Sequence, residues 1–252
     1  MKKQKICIIG GNLSGLTTAI ALSRLNCEID IVTGKTNQNI QSNRTIAISE
    51  NNIDFLHNLN ITKSIKKKVW PCSIMKLYTE IKNDDFSEIF ELNSSIYNKD
   101  KKVLFMLENS KIINLMQNKI KKIKSINIIK NEEILEINNL GLLKSIKFKN
   151  NKVGYKYNLI ILCAGSNSNL IKKLFSNETI NNSYKETSVA TVISHNFLKN
   201  NIVRQIFLNG EILAMLPISN TKTSIVWSIK KSIKKNSDSY AKNKIKFYTE
   251  NY

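Results

Sequence analysis

Apolar and polar positions alternate between two periods along this chain. Residues 5–9, "KICII", form a short apolar run of the kind a buried strand shows. A glycine-rich turn follows, and "LSGLTTAIALSRLN" (13–26) then places Leu16, Ile20, Ala21 and Leu25 near helical spacing. "EIDIVT" (28–33) alternates as a second strand. Strand, turn, helix and strand within about 30 residues is the size of a βαβ unit. The parallel pairing this implies needs a crossover, and the helix supplies it.

Further on, "SNRTIAISENNIDFLHNLNI" (42–61) reads as a loop entering a helix with Ile53, Leu56 and Leu59 on one side. "SIMKLYTEI" (73–81) and "FSEIFEL" (86–92) flank "KNDD" as a hairpin. In "NSKIINLMQNKIKKI" (109–123), Ile112, Met116, Ile120 and Ile123 share a helical face, with Asn109 or Ser110 as cap. "INIIK", "EEILEI" and "LLKSIKFK" (126–149) read as short strands, and "YNLIILCAG" (157–165) as a central one. "TSVATVIS" (187–194), "RQIFLN" (204–209), "EILAMLPI" (211–218) and "TSIVWSI" (223–229) predict an antiparallel sheet. From Lys230 the chain is polar and basic, a helix start or a disordered tail.

Composition changes this picture little. The 252 residues suffice for one large or two small domains. A net charge of +20 raises the question of nucleic acid or anionic lipid. Lys, Asn and Ile are raised together while Pro falls to 2 and Gly to 8, a pattern of AT-rich coding. The densest basic runs, "SIKKK" (64–68), "KIKKIK" (119–124) and "SIKKSIKK" (228–235), do not interleave with aromatics as a single-strand stacking platform does. The expectation is no nucleic-acid partner, with loose peripheral attraction to anionic lipid. Cys7, Cys27, Cys72 and Cys163 show no C-x-x-C spacing, and only His57 and His195 could join them. A metal site is not expected, and Cys7 and Cys163, inside apolar runs, read as buried free thiols of a reducing compartment. No apolar run reaches membrane-spanning length, and glycines and polar residues interrupt the opening run, so a cytoplasmic chain without a signal peptide is expected.

The chemistry sits in "GGNLSG" (10–15). In a dinucleotide fold the first glycine makes the tight turn, the second admits the pyrophosphate and the third lets helix and strand pack closely. The phosphates rest on the helix N-terminus. Those slots are Gly10, Asn12 and Gly15. The ribose-binding carboxylate expected at the end of the second strand falls on Thr33, 23 residues after Gly10.

Taken in order, "IIGGNLSGLTTAIALSR", "NRTIAIS", "YNLIILCAGSNS", "SVATVIS" and "ILAMLPIS…SIVWSI" resemble the flavin monooxygenases of the para-hydroxybenzoate hydroxylase type, and within them the ubiquinone-biosynthesis hydroxylases. The resemblance covers nearly the whole chain. It implies an α/β fold in which a Rossmann-like FAD-binding domain (1–71 and 101–178) is interleaved with an antiparallel-sheet substrate domain (72–100 and 179–230), followed by a polar tail (231–252). This is a glutathione-reductase-like two-domain flavoprotein. It implies FAD held by Gly10, Gly11, Asn12, Ser14, Gly15, Thr33, Arg44, Gly165 and Ser168, with Pro217 on the substrate side. It implies NAD(P)H as electron donor, a polyprenylated phenol as substrate, hydroxylation of its ring, and association with other ubiquinone-biosynthesis proteins. Without the resemblance, Arg44 is a solvated loop residue, "LCAGSNS" an ordinary turn, and Pro217 the mark of an edge strand. No acid–base pair or nucleophile stands out, which suits chemistry carried by a cofactor.

The departures from the family pattern are Asn12 for glycine, Thr33 for the ribose carboxylate, and Ala164 for the aspartate of the second flavin motif. The last family motif, G-D-A-x-H, is not reached before Tyr252, which implies a chain truncated at its C-terminus. Two other readings are therefore open. One is an NADP-binding reductase, with Lys35 pairing the 2′-phosphate. The other is a non-catalytic scaffold or membrane-surface protein that keeps the fold.

Overall fold

The computed structural model describes residues 3–34, 44–61, 68–82, 85–97, 101–149, 151–165, 169–175 and 184–230, with isolated positions at 180, 182, 243, 245 and 246. Ser168, Lys35 and most of the tail expected beyond Lys230 lie outside them. The order begins β1 (Gln4–Ile9), α1 (Leu13–Leu22), β2 (Cys27–Thr33), β3 (Thr45–Ile48), α2 (Glu50–Asn58) and β4 (Trp70–Cys72). It continues β5 (Ile74–Lys82), β6 (Asp85–Asn93), α3 (Ser94–Tyr97), β7 (Leu104–Glu108) and α4 (Asn109–Ile120). Then come β8 (Ile126–Lys130), β9 (Ile134–Leu140), β10 (Leu143–Phe148), β11 (Asn151–Tyr157), β12 (Leu159–Leu162) and α5 (Asn169–Leu174). The last elements are β13 (Glu186–Ser194), β14 (Ile202–Leu208), β15 (Glu211–Ser219) and β16 (Lys222–Lys230). The chain is an α/β fold in which sheet predominates.

Two compact units can be drawn. The first comprises Met1–Ile46, Asn51–Val69 and Leu107–Ile180, the second Ala47–Glu50, Trp70–Met106 and Asn181–Tyr252. In the first, four parallel strands lie in the order β12-β1-β2-β8, with Ile8 opposite Ile161 on one side and Ile31 on the other. Strand β1 is buried from Ile6 to Ile9 because both its faces are covered. Cys7 and Ile9 pack with Val32 against Ile146, Phe148 and Tyr157 of the antiparallel meander β9-β10-β11. Helix α1 lies on β1 and β2 and packs on α4. It buries Leu16, Ala19 and Ile20, and α4 buries Ile112, Met116 and Ile120. The Thr17 hydroxyl reaches the Met116 sulfur at 3.6 Å.

The second unit is a six-stranded sheet in the order β13-β16-β15-β14-β5-β6. Its pairs are antiparallel except β14 with β5, which run parallel. Its core gathers Ile206, Leu213, Met215, Ile225, Trp227 and Ile229 on one face, as period-two alternation places them.

Several expectations are corrected. Helix α1 stops at Leu22 and Leu25 is 61% exposed, because the chain turns before the last apolar position of the run. "TIAI", expected in a loop, forms β3. Strand β12, expected at the centre, is an edge among the described strands, since its apolar residues need only one neighbour and the meander to be covered. Cys163, expected to be buried, is partly exposed beyond the end of that strand. The cap of α4 falls on Glu108, in place of Asn109 or Ser110; its carboxylate makes no capping bond and pairs instead with Lys111 of the first turn at 2.6 Å. No described helix is long and apolar enough to cross a membrane.

Candidate functional site

The end of β1 delivers Gly10 with φ +125°, a conformation that side chains rarely adopt. The Gly10 N–H donates to the Val32 carbonyl at 2.9 Å, and the Cys163 N–H donates to the Ile9 carbonyl at 2.7 Å. The turn is thereby tied to both neighbouring strands. A Cβ on Gly10 would meet the Cys163 carbonyl oxygen, and one on Gly15 would meet the Gly10 carbonyl oxygen. Both glycines are required by this close crossing of helix and strand. At Gly11 the space for a Cβ is taken by the Thr33 methyl.

Asn12 is the N-cap of α1. Its backbone is extended, at φ −99° and ψ −171°, because a cap residue sits outside the helical region. Its side-chain oxygen accepts from the Leu13 N–H at 2.9 Å, and its carbonyl accepts from Leu16 at 2.9 Å. The side chain thus occupies one of the donors that a phosphate takes at a helix start. The first turn of α1 carries no acidic residue, so its positive end remains suited to an anion. Ser14 is exposed on a shallow groove with Thr17, Thr18 and Phe55.

A cavity of about 570 Å³ opens where the parallel strands end. Ile9, Gly10, Val32, Gly34 and Ala164 line it, with Glu132 and Glu133 from the segment after β8 and Lys173 from α5. Gly10 and Ala164 thus line the same cavity. Ala164 presents a methyl group where the family pattern has a carboxylate. Gly165 follows it, exposed and at φ +78°. Thr33 faces Gly11 and does not line the cavity. Arg44 does not line this cavity, and its carbonyl accepts from the Asn109 N–H at 2.9 Å. Glu132, Glu133 and Lys173 escaped the sequence reading. The signal lay in "NEE", which directly follows a strand of the parallel sheet.

Below the cavity, Asp30 on β2 is buried and accepts from Tyr157 at 2.9 Å and from the Asn127 amide at 3.0 Å. Lys5 pairs with it at 3.2 Å. Burial, then the Asp30 carboxylate, push the Cys7 thiol up to about 12. Burial also raises the Tyr157 phenol well above its ordinary value. Burial thus favours the protonated forms of Cys7 and Tyr157, and the Tyr157–Asp30 bond ties the sheet to the meander.

In the second unit Pro217 is buried on β15, an inner strand and not the edge its identity suggested. It is tolerated because the ladder with β14 ends at Met215 and a bulge follows at Pro217–Ser219. A larger cavity, about 1000 Å³, includes His195, Asn200, Arg204 and Thr223 and contains no residue the sequence reading assigned to a site. His195 Nδ1 lies 2.8 Å from the Asn196 carbonyl, so it carries the proton. Nε2 then accepts from the Thr223 hydroxyl at 3.0 Å. Asn200 donates to the Ser219 carbonyl at 2.8 Å and to the Thr223 hydroxyl at 2.9 Å, which makes this cluster a loop tie.

No family model matches the chain. The FAD-dependent monooxygenase adrH of Penicillium rubens is 28% identical over 169 residues, which are 67% of this chain and 36% of that protein. Among solved structures, p-nitrophenol 4-monooxygenase PnpA of Pseudomonas putida DLL-E4 aligns with a TM-score of 0.73 at 15% identity, over 97% of this chain and 62% of that one. HpxO of Klebsiella pneumoniae, solved with FAD, aligns with a TM-score of 0.68 at 12% identity, over 90% and 57%. The chain spans less than two thirds of the length of each. Its fold is the α/β fold of FAD-dependent monooxygenases.

Proposed function

We propose that this chain supplies the flavin-binding unit and the substrate sheet of a FAD-dependent monooxygenase acting on an aromatic ring. The observation that carries the reading is the sterically forced glycine turn after β1, whose Gly10 lines a cavity at the ends of parallel strands. PnpA, which has the same fold, acts by its name on a phenol. Bound FAD supplies electron transfer from NAD(P)H and activation of O₂. The chain's own residues place it: main-chain donors of the turn meet the pyrophosphate, Arg44 and Ser168 serve as further contacts, and Pro217 stands on the substrate side. The narrower reading is a ubiquinone-biosynthesis hydroxylase with a polyprenylated phenol as substrate. It rests on the order of "NRTIAIS", "ILAMLPIS" and "SIVWSI".

FAD titration followed by quenching of flavin fluorescence tests the cofactor, with NADPH as competitor. Saturable FAD binding that NADPH does not displace is expected. NADPH binding without FAD binding supports the reductase instead. A colourless protein that binds anionic vesicles in a salt-sensitive way supports the scaffold, for which Ala164 is the specific observation. NAD(P)H oxidation stimulated by a polyprenylated phenol more than by p-nitrophenol supports the narrower substrate.

A further inference from the structure

We propose that Glu132, from the end of β8, supplies the carboxylate that holds the adenosine ribose of the bound dinucleotide beside the end of β2. This rests on the flavin reading above. Strands β2 and β8 are parallel neighbours with Thr33 opposite Lys130. Two residues further on, the Glu132 N–H donates to the Thr33 carbonyl at 3.2 Å, which brings Glu132 to the tip of β2. Thr33 itself turns its methyl into the space beside Gly11. Glu132 lines the cavity with Gly10, Val32 and Gly34.

One Glu132 carboxylate oxygen, Oε2, is buried with no hydrogen-bond partner among the described residues. A buried acceptor of this kind calls for a donor, and a ribose hydroxyl pair supplies two. The neighbouring charges are engaged elsewhere. Glu133 pairs with Lys149 at 2.9 Å, and the Lys173 ammonium donates to the Leu135 carbonyl at 2.9 Å. A carboxylate here also repels a 2′-phosphate, so the site selects FAD over an NADP-type ligand.

The test compares ADP, 2′-deoxy-ADP and 2′,5′-ADP by calorimetry on the wild-type chain, and adds FAD for Glu132→Gln and Glu132→Ala. Loss of a charge-assisted hydrogen bond weakens binding by about tenfold or more. Wild type is therefore expected to bind ADP about tenfold tighter than 2′-deoxy-ADP and to reject 2′,5′-ADP. Both variants are expected to lose that preference and to bind FAD about tenfold more weakly, with a melting temperature no lower than that of wild type. Equal ADP and 2′-deoxy-ADP affinity in wild type overturns the proposal without any variant. Unchanged FAD affinity in folded Glu132→Ala overturns it and leaves the flavin reading standing. A wild type that binds neither ADP nor FAD overturns both.

Discussion

At the scale of single residues, Asp30 shows how the first unit spends a buried charge. Its carboxylate gathers the Tyr157 hydroxyl, the Asn127 amide and the Lys5 ammonium, while only 6% of the residue is exposed. The Lys5 ammonium also stands 5.3 Å from the centre of the Tyr157 ring. Removing one partner of a buried pair strands the others, at a cost of about 3–5 kcal/mol. The Lys5 side chain is 39% exposed and screened, which puts the expected loss for Asp30→Ala near the lower end, about 3 kcal/mol. Asp30→Asn keeps an acceptor for Tyr157 and is expected to lose less. Urea midpoints of the two variants check this, and equal losses would mean that charge is not what this network needs.

At the scale of elements, α1 depends on Asn12 more than a bare flavin turn would. Asn12→Ala removes the side-chain bond at its N-cap and is expected to cost about 1 kcal/mol, whereas Asn12→Gly costs a few tenths. Because the Gly variant also clears the path of the pyrophosphate, it is expected to bind FAD more tightly than wild type while melting at nearly the same temperature. Thermal melts with parallel FAD titrations separate the two effects. This contrast marks how much of the chain was legible in its sequence. The unit from β1 through α1 to β2 was readable because its apolar periods are local and its glycines are forced by sterics. The hairpin of β5 and β6 and the strands β13 to β16 were readable for the same reason. The edge position of β12 was not, since an apolar run looks alike at the centre of a sheet and beside a covering meander. The direction of Thr33 was not either: the spacing from Gly10 marks the strand end, but which face a side chain takes there follows from the turn beside it. Glu132 stayed hidden because its place depends on β8 pairing with β2, nearly one hundred residues away in the chain.

At the scale of the whole molecule, each unit carries one thiol with no exposed surface, beside the slightly exposed Cys27 of the first unit, and the two fully buried thiols set an alkaline limit. Cys7 lies in the first unit and Cys72 in the second, packed with Met106 and Val203. Burial pushes each up to about 12 from an unfolded value of 9.0, with Asp30 adding to the effect at Cys7. Below pH 9 both thiols are protonated in the folded and unfolded chain alike, so they add no pH dependence. Between pH 9 and 12 the unfolded chain loses these protons while the folded chain keeps them. Unfolding is then favoured by about 1.4 kcal/mol per pH unit for each thiol, and the slope ends above pH 12. Tyr157, raised further still by its burial, adds to the same limb once unfolded tyrosines begin to ionise. Urea midpoints at pH 8 and pH 10 are therefore expected to fall in wild type. In Cys7→Ala/Cys72→Ala the fall shrinks by the share of two protons, whereas lysines and other tyrosines titrate equally in both proteins and cancel. An identical fall in the double variant would show that these thiols ionise as freely inside the fold as outside it.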